Sequence, residues 1–137
     1  MANQYATGDR DILIVDDDPN IRQFYRRVLE RRYTTEEASD GKAAFRFTNN
    51  NRYGLVITDI GMPDWSGLDF IDAASLVNPN QSILVIDKLT PELIEELENL
   101  SGVVGRLNKP ITEEEWVLFG ERLLEEVGKY VEPSLHG

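Results

Sequence analysis

The chain has no cysteine, a single histidine and no long apolar run. Without cysteine there is neither a disulfide framework nor thiolate chemistry, which suits a reducing compartment. The one histidine, His136, stands next to the last residue, in a tail expected to fray, and is read as neither metal ligand nor phosphodonor. No stretch approaches the length of a membrane span, and residues 1–10 are polar with no apolar signal core. The expectation is a soluble, cytoplasmic protein with no membrane partner. Basic residues are scarce as well: 14 Lys and Arg stand against 25 Asp and Glu, a formal net charge of −11. That balance argues against a nucleic-acid partner, whose phosphates need clustered cations, and points to basic partners or plain solubility. A length of 137 residues suits one domain, with no room expected for a separate output domain.

What is present is a strand-end pattern that recurs. Leu55-Val56-Ile57-Thr58 is apolar and short enough to be one buried strand, and it stops at Asp59 before the turn-forming stretch Gly61-Met62-Pro63-Asp64-Trp65-Ser66-Gly67. Asp11-Ile12-Leu13-Ile14-Val15 ends in Asp16-Asp17-Asp18, and the run from Val103 to Asn108 ends in Lys109-Pro110. In open parallel sheets ligands collect beyond the carboxyl ends of the strands. Acidic residues at two strand ends and a lysine at a third fit a metal-assisted phosphoryl site, since a divalent cation takes several hard oxygens and lysine balances phosphate charge. Asp18 is set apart: ahead of Pro19 it reads as the N-cap of the first helix.

Between these ends the pattern alternates. Ile21, Phe24, Tyr25, Val28 and Leu29 recur at helical spacing and predict a helix to about Arg32, and Tyr33 to Ala38 is a weaker strand, placed at the sheet edge. Asp40 caps a helix over 41–50 with a poor apolar stripe. After the Asp59 loop comes a helix carrying Leu68, Phe70, Ile71, Ala74 and Val77, ended by Asn78-Pro79-Asn80. A buried strand over 83–86 follows, then a helix from Thr90-Pro91 with Leu93, Ile94 and Leu97 inward and Ser101-Gly102 as its stop. Beyond the fifth strand, Thr112 and Glu115 form a capping box, Ile111 and Trp116 a hydrophobic staple, and Phe119, Leu123, Val127 and Tyr130 an apolar face. The fold class is therefore α/β: a single doubly wound, five-stranded parallel sheet with helices on both faces. Residues 1–10 are expected as a flexible lead, 11–131 as the domain and 132–137 as a flexible tail.

Taken together, Asp16-Asp17 after the first strand, Asp59 with Met62-Pro63 after the third and Lys109-Pro110 after the fifth resemble the receiver domain of two-component response regulators, over nearly the whole chain from about Asp11 to Tyr130. The resemblance implies the flavodoxin-like strand order 2-1-3-4-5. It implies that Asp59 is the phosphoacceptor and that Asp17, Asp59 and the carbonyl of Gly61 bind Mg²⁺ directly, with Asp16 acting through water. It implies that Lys109 contacts the phosphoryl oxygens. It also implies a histidine kinase or histidine phosphotransfer protein as donor, a downstream protein on the face of the fourth helix, fifth strand and fifth helix, a homodimer as a further option, and no enzymatic role. The chemistry stands without the family name: a carboxylate attacks an anionic phosphoryl group poorly until a cation and an ammonium relieve the repulsion.

Two positions depart from that family. A hydroxyl is usual at the end of the fourth strand, where this chain has Asp87, and an aromatic is usual three residues before the lysine, where it has Arg106. A carboxylate donates no hydrogen bond unless protonated, and beside an aspartyl phosphate its charge would cost on the order of 1 kcal/mol or more. Asp87 and Arg106 are expected to pair with each other, or Asp87 to turn towards Lys109, either of which weakens switching. The alternative function is then a receiver-like protein-binding module with impaired switching. Lower in rank stands a phosphatase using Asp16 as nucleophile and Asp18 as acid, which lacks the Gly-Thr that normally follows. A flavodoxin is excluded because the first loop is acidic where a phosphate loop should be neutral.

Overall fold

The computed structural model describes residues 10–135. Ten elements alternate along it: β1 (Arg10–Val15), α1 (Pro19–Leu29), β2 (Thr35–Ala38), α2 (Gly41–Asn50), β3 (Tyr53–Thr58), α3 (Gly67–Val77), β4 (Ile83–Asp87), α4 (Pro91–Glu98), β5 (Val103–Asn108) and α5 (Glu113–Val127). All strand pairs are parallel, as the alternation predicts, and the sheet order is β2-β1-β3-β4-β5, as the resemblance implies.

The sheet is covered on both faces, which is why β1, β3 and β4 are apolar at every interior position. Ile12, Ile14, Leu55, Ile57, Leu84, Ile86 and Leu107 face one way, against Tyr25 and Leu29 of α1 and Phe119, Leu123 and Val127 of α5. Leu13, Val15, Val56, Ile83 and Val85 face the other, against Ala44 of α2, Phe70, Ile71 and Ala74 of α3 and Leu97 of α4. Each helix starts at an oxygen that replaces its missing partners: Asp18, Asp40, Ser66, Thr90 and Thr112 accept from backbone N–H groups of the first turns. The Thr112–Glu115 capping box is present. In α2 the thin stripe of Gly41, Ala44 and Thr48 suffices, because Phe45 and Phe47 pack partly buried beside it.

Four expectations are corrected. β1 begins at Arg10, inside the expected lead; the rest of that lead, residues 1–9, lies outside the described residues. α1 stops at Leu29 because Tyr33 must turn into the core: its N–H donates to the Leu29 carbonyl at 2.8 Å and its ring is fully buried. Ile111 does not staple the last helix, being 79% exposed, and Trp116 packs edge-on against Phe24 and Phe119 instead. The tail is tied down as far as Leu135, whose N–H donates to the Arg32 carbonyl at 3.0 Å. The Tyr33 hydroxyl donates to the Val131 carbonyl, also at 3.0 Å, and the Ser134 hydroxyl bonds to the Asp11 carboxylate. His136 lies outside the described residues.

Candidate functional site

Register brings the strand ends to one level. Val15 lies opposite Thr58, Thr58 opposite Val85 and Asp87 opposite Asn108, so the residues that leave β1, β3 and β5 emerge side by side. Backbone bonds carry the alignment one residue further: Asp59 N–H donates to the Val15 carbonyl at 3.0 Å and Lys109 N–H to the Asp87 carbonyl at 2.9 Å. The loop after Asp59 is folded tightly back. Gly67 N–H donates to the Ile60 carbonyl at 2.8 Å, and a Cβ on Gly67 would sit 2.1 Å from the Asp59 carbonyl oxygen, so only glycine fits. Asp64 adopts φ 66°, a left-handed conformation that aspartate tolerates better than most residues.

At this level stands a compact charge cluster. Asp16 is 1% and Asp59 7% exposed, while Asp17 is exposed at the rim. One oxygen from each of the three lies within 4.8 Å of the others. Lys109 Nζ reaches Asp16 Oδ2 at 2.9 Å and Asp59 Oδ2 at 3.3 Å. Asp16 Oδ1 accepts from Asp18 N–H at 2.9 Å, and the Asp16 carbonyl accepts from Arg22 at 2.7 Å. Burial pushes the Asp16 carboxyl up, against the pull of Lys109. Burial and a hydrogen bond with Asp87 push Asp59 up to about 7, again against Lys109. Burial would lower the Lys109 ammonium, but Asp16 and Asp59 outweigh it and hold it above its ordinary value.

Asp87 is placed otherwise than expected. Its Oδ2 accepts from the Ile60 N–H at 2.8 Å and the Gly61 N–H at 3.3 Å, and its Oδ1 accepts from the Lys88 N–H. Burial alone would raise it; the hydrogen bond with Asp59 and these amides hold it below the usual carboxylate range. It pairs neither with Arg106 nor with the Lys109 ammonium. Arg106 lies opposite Val85, two residues before the Asp87–Asn108 pair, and its guanidinium reaches Glu98 of α4 at 3.9 Å. Asp18 caps α1 through a bond from Asn20 N–H, as expected, and does not join the cluster. Gly61 is exposed, with its N–H turned to Asp87.

Two participants escaped the sequence. The Ile60 and Gly61 amides carry no side-chain signature. Tyr25, expected only as an apolar-stripe residue, is buried with a hydroxyl that has no hydrogen-bond partner among the described residues, and burial together with the charges of Asp16, Asp59 and Asp87 raises its pKa, keeping it neutral. The donor set suits a hard divalent cation. Three converging carboxylates with one ammonium leave net negative charge, and oxygen ligands without nitrogen or sulfur are those that Mg²⁺ prefers.

Residues 12–118 match the family model of the response regulator receiver domain. The transcriptional regulatory protein SrrA of Staphylococcus aureus is 30% identical over 116 residues, which cover 83% of this chain and 47% of SrrA, so the chain spans about half the length of the curated relatives it matches. Among solved structures, the chemotaxis protein CheY4 of Vibrio cholerae is 29% identical with a TM-score of 0.68, over 85% of this chain and 99% of that one. The response regulator domain of Thermotoga maritima CheB, at 20% identity and a TM-score of 0.76, covers 89% of this chain and 96% of that one and speaks for the fold alone. The match over residues 12–118, most of the chain, together with the strand order, shows that the chain belongs to the response regulator receiver domain family.

Proposed function

We propose that the chain is a phosphoacceptor, phosphorylated on Asp59 by a histidine kinase or histidine phosphotransfer protein. An Asp59 carboxylate oxygen attacks the phosphorus of a phosphohistidine; the P–O bond forms as the P–N bond breaks, and the departing imidazole nitrogen keeps the electron pair and takes a proton. Lys109 steadies the phosphoryl oxygens, and it is near enough to Asp59, at 3.3 Å, to do so without moving far. Asp17, Asp59 and the Gly61 carbonyl would hold Mg²⁺ directly and Asp16 through water; when bound, the ion neutralises charge that would otherwise repel the incoming group. The observation that carries this reading is the single ammonium shared by Asp16 and Asp59 with Asp17 within reach.

On this reading the chain receives a group rather than catalysing turnover, and a cytoplasmic location goes with it. The downstream protein would meet α4, β5 and α5, the face that carries the Arg106–Glu98 pair, and a second copy could use the same face. The phosphatase alternative loses its acid, because Asp18 is held as a helix cap. A receiver-like binding module with impaired switching is favoured by one observation, the fixed contact of Asp87 with the Ile60 amide. Intact mass after incubation with Mg²⁺ and acetyl phosphate tests the proposal: wild type should gain one phosphoryl group and Asp59→Asn none. An adduct retained in Asp59→Asn, or no adduct in wild type and Asp87→Ala alike, would overturn it.

A further inference from the structure

A phosphoryl group on Asp59 places new anionic oxygens just outside that carboxylate, and they need hydrogen-bond donors. Besides Lys109, the N–H groups beside it are those of Ile60 and Gly61, at the start of the loop that leaves β3. Both are taken. Asp87 Oδ2 lies 2.8 Å from Ile60 N and 3.3 Å from Gly61 N, and the Ile60 N–H is shared with Asp59 Oδ1 at 2.9 Å. An oxygen so placed stands where an oxyanion carried by Asp59 would seek its donors.

The position of Asp87 is built rather than incidental. Lys88 N–H donates to its Oδ1, Lys109 N–H grips its carbonyl at 2.9 Å, and Asn108 Oδ1 accepts from Leu89 N–H at 3.2 Å, so the turn after β4 is fixed at three points. The Lys109 ammonium, the cation that could otherwise draw Asp87 inward, is engaged by Asp16 and Asp59. Asp87 is only half-buried, so its side chain has an open path to solvent.

We propose that Asp87 is a tethered oxyanion, filling the Ile60 and Gly61 amide cradle in the unmodified chain and excluding a phosphoryl group from it until the Asp87 side chain swings out to solvent. The proposal rests on Asp59 as phosphoacceptor for its consequence, and on geometry alone for the occupancy. It makes Asp87 a gate: entry of the phosphoryl group requires breaking charge-assisted bonds from two amides, and the released carboxylate then lies near a group of the same sign. Slow acceptance and brief retention follow from the same contact.

Two measurements test it separately. In amide NMR spectra, Asp87→Ala should move the Ile60 and Gly61 N–H resonances upfield and speed their exchange with solvent; unchanged resonances would overturn the tether whatever the phosphorylation chemistry does. In phosphorylation by acetyl phosphate with Mg²⁺, Asp87→Ala should label at least about tenfold faster than wild type, the loss of a charged hydrogen bond being worth that much. Asp87→Asn, which keeps the shape and an acceptor oxygen without the charge, should fall between them. Equal labelling rates in wild type and both variants would overturn the gate while leaving Asp59 as acceptor. Absence of label in all three proteins would overturn the gate and the acceptor reading together, with the NMR result still deciding the occupancy.

Discussion

The Nζ of Lys109 stands 2.9 Å from Oδ2 of Asp16, a carboxylate with only 1% exposure. A buried carboxylate beside two others stays charged only with such a partner. Lys109→Met should therefore lower stability at neutral pH by about 1–3 kcal/mol, less than for a fully buried pair because the orphaned carboxyls can take up protons. The loss should shrink at about pH 5, below the value of about 7 at which Asp59 takes up its proton, so that the lysine faces one charged carboxylate fewer. Urea midpoints at the two pH values check this, and a loss independent of pH would contradict it.

The strand ends were legible because β1, β3 and β4 are buried on both faces and each stops abruptly at a charged residue. Asp16, Asp17 and Asp59 could be placed from that alone, Lys109 from the Lys-Pro pair that follows β5, and the register brings them together. The partners of Asp87 and Arg106 were not legible. Arg106 meets Glu98, whose position depends on where α4 ends, and Asp87 meets backbone amides, which every residue but proline has and no side-chain pattern marks. The anchoring of the tail escaped for the same reason, since the Leu135 bond to Arg32 joins backbone to backbone.

Asp59 gives the site a pH dependence of definite sign. Its folded pKa of about 7 exceeds the ordinary 3.8, so the folded chain holds a proton that the unfolded chain has released. That contribution to stability is complete below about pH 4 and is lost as pH rises through about 7. Asp87, lowered, acts oppositely but only in the window below 3.8, where stability is lost as pH falls. Asp59→Asn should flatten the fall between about pH 4 and 7, by on the order of 1–3 kcal/mol. Denaturant titrations across that range should show the two curves diverging; parallel curves would contradict the assignment.

Mg²⁺ should stabilise the folded chain at neutral pH. At ten times its dissociation constant one bound ion adds about 1.4 kcal/mol, a rise of roughly 2–6 °C in Tm for a domain of this size. Asp17→Ala removes the exposed ligand without disturbing the buried pair and should abolish the rise. An equal rise in the variant would remove Asp17 from the site.

The two glycines of the Asp59 loop should behave differently. Gly67→Ala forces a Cβ to 2.1 Å from the Asp59 carbonyl oxygen, among backbone atoms that cannot yield cheaply, and should cost about 3 kcal/mol and blunt the response to Mg²⁺. Gly61→Ala meets nothing within 4 Å and should change stability by less than about 0.5 kcal/mol. Chemical denaturation of both variants checks the contrast, and equal costs would show that the loop does not pack on Asp59 as described.

The most direct test of the account is the address of the phosphoryl group. Borohydride reduces an acyl phosphate to an alcohol, converting a phosphorylated aspartate to homoserine, and peptide mass mapping then reports which residue carried it. After Mg²⁺ and acetyl phosphate, the account predicts homoserine at position 59 and aspartate unchanged at positions 16, 17 and 87. Homoserine at 16, 17 or 87, or none at 59 in protein that carries the phosphoryl group, would contradict it.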